Sequence, residues 1–382
     1  MKKRLPIIIL SLLLAAALGG CALFPSRLHG VERLLVVQAL GVDRVDGAVR
    51  LSMASAADSA RGEGPIRLSG SGLSISDAAE NVDALATEEE LFCAHTGHVL
   101  IGETTAREGI GGVLRYICRA RELRMDLPLY IVREGSAADA LLKTGDDRIG
   151  AVEELDMLAA TAPAREGRRP PGAAQIAGEL ESGGCALVSA LRLVPSSEQQ
   201  EEDGAPLTLA PAGCGVIVDG RLAAFLEEED MPGLDFLTGA QGVHTLVVRD
   251  REGQRVTLRT APGRTRLRAL RGEDGRLTGL ELSVSLKASV AEIDGAGALS
   301  DAEYCDALTA AAEREVLRLA GRVLQRQKAL GADFLRLGER LALASSAAER
   351  ARDGALRDRS DAPEIRLAAE VVLLHSNDVR DG

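Results

Sequence analysis

The side chains best able to do chemistry stand close together in Cys93-Ala94-His95-Thr96-Gly97-His98. A thiolate and two imidazoles at this spacing are donors suited to a transition-metal ion. No second cluster completes a four-ligand set, because His29, His244 and His375 lie in unrelated segments. The simpler reading makes His98 a hydrogen-bonded residue at a strand start, and no metal is expected. The acid runs Glu88-Glu89-Glu90 and Glu227-Glu228-Glu229-Asp230 could supply a carboxylate pair for acid–base work. They read more simply as solvated groups placed favourably at the start of a helix. The sequence has no GxSxG elbow, P-loop or HExxH. Ser69-Gly70-Ser71-Gly72 is too short and wrongly placed to cradle a phosphate. Neither catalysis nor a cofactor is expected.

One cysteine has a defined chemical role. Lys2, Lys3 and Arg4 precede an apolar run from Leu5 to Leu18 that is interrupted by Ser11. A bilayer span needs about 20 apolar residues, so residues 1–20 read as a signal peptide. The run ends in Leu18-Gly19-Gly20-Cys21, which resembles the lipobox recognised by the lipoprotein signal peptidase. Two small residues give the peptidase access, and the Cys21 thiol accepts a diacylglyceryl group as a thioether. Two acyl chains anchor stably where one is marginal. An ordinary signal peptide with a chance cysteine is the alternative, but the basic start, apolar run and lipobox fall in register. Of six cysteines, Cys93, Cys118, Cys185, Cys214 and Cys305 remain, an odd and scattered set without a CxxC pair. Most read as small buried hydrophobes; one disulfide is compatible with the count.

The 382 residues, 46% hydrophobic, suffice for two or three domains. The net charge of −12 argues against nucleic acid as a partner and against electrostatic attraction to anionic lipid head groups. Aromatic residues are only 2%, with no Trp, so a dedicated sugar-stacking module is not expected.

The elements follow from periodicity and turn chemistry. Strands are expected at 33–43 and 48–57 about an Asp46-Gly47 hairpin turn, and at 66–70. Ser74-Ile75-Ser76-Asp77 matches a capping box and starts a helix to about Glu90. A strand His98–Gly102, a helix 106–119, a strand 127–132 and a helix capped at Ser136 follow. Residues 161–172 read as a Pro/Arg/Gly-rich loop and 186–194 as a strand. The acidic stretch 195–206 is either the main domain boundary or a long loop within one domain. Beyond it, strands are expected at 213–218, 221–226, 243–249, 254–260, 264–270 and 277–290. A long helix starts at Asp301, a shorter one covers about 333–345, and a strand spans 364–374. The fold class is α+β, with mixed and antiparallel sheets and packed helices in two to three domains. The expected division is a lipidated tether over 21–30, an N-terminal α+β region over 31–200 and a C-terminal α+β domain over 207–376. The N-terminal region counts as one domain or as two split near 130–150.

Several segments together resemble a known family. Glu32-Arg33-Leu34-Leu35-Val36-Val37-Gln38-Ala39-Leu40-Gly41-Val42-Asp43 followed by Asp46-Gly47 is similar to the start of mature Ger(x)C proteins, the C-subunit lipoproteins of spore germinant receptors. The His98-to-Gly102 strand with Glu103, then Glu108-Gly109-Ile110, matches the next landmark. Gly215 to Glu227 resembles the family's hairpin and acidic helix start. Gln327-Lys328, then Asp333 to Gly338-Glu339, resembles its signature after a long helix. The resemblance implies a non-enzymatic subunit with three α+β domains, so the two halves read here would hide a third, with a subdivision within residues 130–205. It would sit, lipid-anchored, on the outer face of the inner spore membrane, beside integral A and B subunits that respond to small nutrients. The competing readings are a substrate-binding lipoprotein of a transporter, expected to be two-lobed and mostly parallel, and a lipid-anchored envelope hydrolase, expected to show a nucleophile or metal set.

Overall fold

The computed structural model describes residues 34–57, 64–86, 90–145, 150–196, 207–239, 242–295, 299–347, 349 and 364–374. The expected signal peptide, Cys21 with Leu18, Gly19 and Gly20, the tether, His29, His375 and Glu88-Glu89 lie outside them.

The first layer is an eight-stranded mixed sheet. Its strands are β2 (Ala39–Val45), β3 (Ala48–Ala54), β4 (Arg67–Gly72), β6 (His98–Gly102), β7 (Leu129–Val132), β8 (Cys185–Pro195), β9 (Leu207–Val218) and β10 (Arg221–Leu226). They lie in the order β10-β9-β8-β7-β6-β2-β3-β4. The central strands β2, β6, β7 and β8 run parallel, flanked by antiparallel pairs at both ends. Helices cover both faces, and β6 and β7 are buried at every residue, as central parallel strands must be. Val99, Ile101, Leu129 and Ile131 pack with helices α1 (Ile75–Asp83), α3 (Gly111–Arg119) and α6 (Ala173–Gly183). Leu100, Tyr130 and Val132 pack on the other side with α4 (Ala137–Leu142) and α5 (Ala151–Glu166). Strands β1 (Leu34–Val36) and β5 (Glu90–Phe92) form a separate parallel pair.

The second layer is a four-stranded sheet ordered β11-β12-β13-β14: Thr245–Arg249, Arg255–Arg271, Leu277–Ile293 and Glu364–Leu374. Helix α8 (Ala302–Leu330) lies along one face, setting Leu308, Ala312 and Val316 against Val256, Leu258, Val284 and Leu286. Its 29 residues span about 44 Å. Asp301 caps its start and Gly331, in the left-handed region, closes its end. Helices α7 (Met231–Thr238) and α9 (Leu337–Ala344) fill the seam between the sheets. One core runs through that seam: Cys214 and Val216 of β9 belong to the same apolar cluster as Leu280 and Leu282 of β13.

The architecture is the α+β, multi-domain one that the element order implies. The Ser74 and Ser136 caps form, each hydroxyl accepting the backbone N–H three residues on. The Asp46-Gly47 turn has both φ angles positive, as a type I′ turn requires. Stretch 195–206 joins two hydrogen-bonded neighbours, since Pro195 of β8 pairs with Leu207 of β9. The first sheet therefore continues to residue 226.

Other expectations need correction. The 33–43 strand is two pieces, β1 and β2. The 106–119 helix is two, α2 (Glu103–Glu108) and α3, because Gly109 adopts φ 140° between them. Residues 161–166 are not loop: α5 carries through Pro163 to Glu166, driven by the apolar residues Ala151, Val152 and Leu155 at its start. The strands expected at 254–260 and 264–270 are one long β12 with a bulge. The helix expected from 333 begins only at Leu337, since Asp333 folds back to cap it.

Candidate functional site

The sequence landmarks gather at two places, and both are built around a carboxylate. In the first, Asp43 is buried near the end of β2. Ala137 N–H donates to its Oδ1 at 2.9 Å and Ala138 N–H to its Oδ2 at 2.7 Å. These are amides of the first turn of α4, which have no partner within the helix. Burial pushes the Asp43 carboxyl up from its ordinary value, while the two amides and Arg50 oppose the shift. Gly102 at the end of β6 makes room: a Cβ there would stand 2.1 Å from Asp43 Oδ1. Gly41 on β2 is close-packed too, though less so, its missing Cβ 3.0 Å from Leu141 and 3.1 Å from Ala137. Glu103 accepts from Glu134 N–H at 2.8 Å and pairs with Arg107. Burial raises its pKa, but these partners outweigh it and hold the carboxyl below the usual range. Past Gly109, Ile110 N–H donates to Gly220 O at 2.9 Å and ties α3 to the β9–β10 turn.

The second place lies beyond α8. Gln327 Oε1 accepts from Leu335 N–H at 2.9 Å. Asp333 accepts from Leu337 N–H at 2.9 Å and Gly338 N–H at 2.8 Å, capping α9. Arg336, in the left-handed region at φ 55°, pairs with Glu339 and reaches Glu179 of α6 at 3.2 Å. All these landmarks therefore hold helix starts and the chain bends between them. Their polar groups are engaged in these contacts, the half-exposed Glu339 with Arg336 included.

Between the two places runs a seam of charged pairs. Asp230, its side chain fully buried, takes Arg322 and Arg326 of α8 at 2.7 Å each. Arg133 meets Glu227 with two bonds of 2.6 and 3.1 Å and lies over the Phe225 ring. The Arg133 hydrogen bond holds the Glu227 carboxyl below its ordinary range. Asp235, also buried, has His244 Nε2 at 2.9 Å and Arg168 at 3.5 Å. The 227–230 acid run is thus not simply solvated; Asp230 is a buried link between layers. The two arginines spaced i, i+4 on α8 are the sequence signal for it. Beside the seam opens a cleft of about 450 Å³, lined by Arg168, Gln175, Glu179, Cys214, Thr238 and Arg336 among others.

Comparison with known proteins fits this geometry. Residues 29–159 match the spore germination protein N-terminal domain, and residues 212–349 match the spore germination B3/GerAC-like C-terminal domain. The chain belongs to the Ger(x)C family. Its fold is similar to that of a solved structure described as the crystal structure of the GerBC protein, with a TM-score of 0.57 at 16% identity. That similarity covers 88% of this chain and 97% of the other. No match was found among curated proteins.

In this Ger(x)C chain the Cys93–His98 segment is structural. Residues 93–95 form one tight turn, and His95 stacks on Phe92 at 5.5 Å. His98 Nε2 is 2.8 Å from Asp156 Oδ1 of α5, a partner that the sequence spacing does not disclose. Burial, with Glu122 and Asp83 nearby, pushes the Cys93 thiol up to about 11. A neutral thiol is a poor ligand and nucleophile. Among the described residues there is no metal-type cluster of three His, Cys, Asp or Glu. Nor is any described helix long and apolar enough to cross a membrane.

Proposed function

We propose that this chain acts as the C subunit of a spore germinant receptor, as a partner-binding body without chemistry of its own. The diacylglyceryl group on Cys21 would hold it at the outer face of the inner spore membrane, beside integral A and B subunits, in a complex that responds to small nutrients. The observation that carries this reading is the pair of family matches, in order, across both halves of the chain. The capping role of the landmark residues Asp43 and Asp333 supports it, because these carboxylates are used to fix a shape. Confinement to the membrane plane raises the effective concentration of the body near its integral partners. A two-lobed, hinged transport receptor fits poorly with a single apolar core running through the seam.

The test is a deletion strain and a Cys21→Ala strain, followed by loss of optical density after adding candidate nutrients to spores. Loss of response to one nutrient class in both strains is expected. A normal response to every nutrient, once other receptors in the same spore are also deleted, would overturn the reading.

A further inference from the structure

The outer face of the second sheet carries charge opposite in sign to the chain as a whole. Along β12 the side chains first alternate regularly: Val256, Leu258 and Thr260 point to α8 and are buried, while Arg255 and Arg259 are exposed. Continued alternation would turn the next arginines inward. Instead one extra residue is inserted, because Ala261 pairs with Lys287 and the next pair is Arg264 with Ser285. This bulge at Pro262-Gly263 reverses the parity and brings Arg264, Arg266 and Arg268 onto the same exposed face as Arg259. Gly263 is needed there, since a Cβ would lie 2.5 Å from the Ser285 carbonyl oxygen.

Successive outward residues on a strand are about 6.6–6.8 Å apart, inside the Debye length of about 8 Å at physiological salt. Arg264, Arg266 and Arg268 repel one another at that spacing, and Arg259 lies two outward steps further along the same face. None of them makes an ion pair among the described residues, although the chain has 57 acidic residues to 45 basic ones. Carboxylates share the face: Glu281 stands opposite Arg268, Glu370 accepts from the Ser285 hydroxyl at 3.1 Å, and Glu292, Asp294 and Glu364 lie toward the two ends, where Asp294 pairs with Arg255 and Glu364 with Arg366; Lys287 adds a further positive charge. The side chains between the arginines are small, including Ser283, Ser289 and Ala368, and no strand of this sheet has an aromatic residue. Protein-binding faces centre on aromatic or large apolar anchors; here there is no aromatic one, and the exposed Val247 and Val372 stand on the flanking strands β11 and β14, apart from the arginine row. A flat array of guanidinium forks suits phosphates, which they bind in bidentate fashion.

We propose that the bulge-aligned arginine face of β12 lies against the phosphate head groups of anionic phospholipids and fixes how the body sits on the membrane. This rests on the membrane-attached reading above and adds an orientation to it. The net charge of −12 argues against attraction of the chain as a whole, but contact is decided locally, because carboxylates more than a Debye length away are screened.

The chain has no Trp, so Ser283→Trp places a single reporter on this face and Gln325→Trp one on the exposed side of α8. The full lipidated chain is reconstituted on vesicles of phosphatidylcholine alone or mixed equally with phosphatidylglycerol, each doped with brominated lipid. The expected result is a blue shift and quenching of the Ser283→Trp signal on the mixed vesicles only. Both should vanish at about 1 M salt, where the Debye length is about 3 Å, and in the Arg264→Glu/Arg266→Glu/Arg268→Glu background. Gln325→Trp should remain solvent-exposed throughout. A chain that floats with the vesicles while its Ser283→Trp signal stays solvent-exposed would overturn the inference and leave the anchor intact; a chain that does not float would overturn the anchor reading itself. Protection of the reporter only when the integral subunits are also present would equally overturn it, in favour of an acidic protein surface.

Discussion

The two sheets of this molecule obey different rules. The first is covered on both faces, and its central strands are apolar at nearly every position. The second is covered on one face by α8, and its strands alternate between apolar and charged residues. A glycine marks a critical spot in each: Gly102 leaves room for a buried carboxylate, and Gly263 allows a strand to switch parity. Similar residues thus serve interior packing in one layer and surface display in the other. What differs is the surroundings: packed layers on both sides of Gly102, an open face beside Gly263.

The largest expected effect tests that difference. Gly102→Ala would place a methyl group 2.1 Å from Asp43 Oδ1, hemmed in by the α4 backbone. Urea denaturation should show a loss of about 3 kcal/mol or more. Gly263→Ala, on the open sheet, should cost about 1–2 kcal/mol because the bulge has solvent on one side. A larger loss at Gly263 than at Gly102 would contradict the contrast between the layers.

Asp43→Ala should come next, at about 2–3 kcal/mol, since it leaves two buried amides of α4 without acceptors. Asp43→Asn keeps one acceptor and should lose less. Hydrogen exchange at Ala137 and Ala138 would locate the damage. Equal losses for the two substitutions would mean that the carboxylate matters for its charge and not for its two bonds.

Acid is expected to weaken the region around Arg133. Glu103 and Glu227 both have folded-state pKa values below their unfolded ones. Their stabilisation is present above the unfolded value near 4.3 and is lost as pH falls through the folded value. Glu227 is 42% exposed, so solvent screening keeps its share below about 1 kcal/mol. Asp43, raised by burial, acts in the opposite sense and becomes less costly to bury as it protonates. Denaturation midpoints of Glu227→Gln and the parent chain should therefore converge as pH drops below about 4.

The smallest effect is expected from Arg266→Ser on the open face. Exposed and without an ion pair among the described residues, this residue should change stability by no more than about 0.5 kcal/mol. Stability that fell by several times this amount would show that the arginine row supports the fold.

These results track what the sequence disclosed and what it hid. The hairpin at Asp46-Gly47, the caps at Ser74 and Ser136 and the long helix after Asp301 were legible, because each depends on neighbours close in the chain. The family landmarks were legible as a set, but not as to why each residue is there. Asp43 meets Ala137 across 94 positions, and His98 meets Asp156 across 58. Such partners leave no local pattern. Asp230 was hidden inside an acid run that looks solvated, although the Arg322 and Arg326 that claim it lie on one helix face. The bulge at Pro262-Gly263 was visible as a break between two strands; that it kept the arginines on one side required the register.

The parallel strand β14 has a consequence in time. Residues 364–374 pair with 279–289, so β13 must wait for some 75 further residues, including all of α8, before its outer edge is closed. Until then an eleven-residue backbone edge is open to any other extended chain. Under the export proposed above, every copy of the chain would pass through this exposed interval on the far side of the membrane. Truncation before residue 364 would make the interval permanent, and a folding helper that covers a bare strand edge would matter most at that moment.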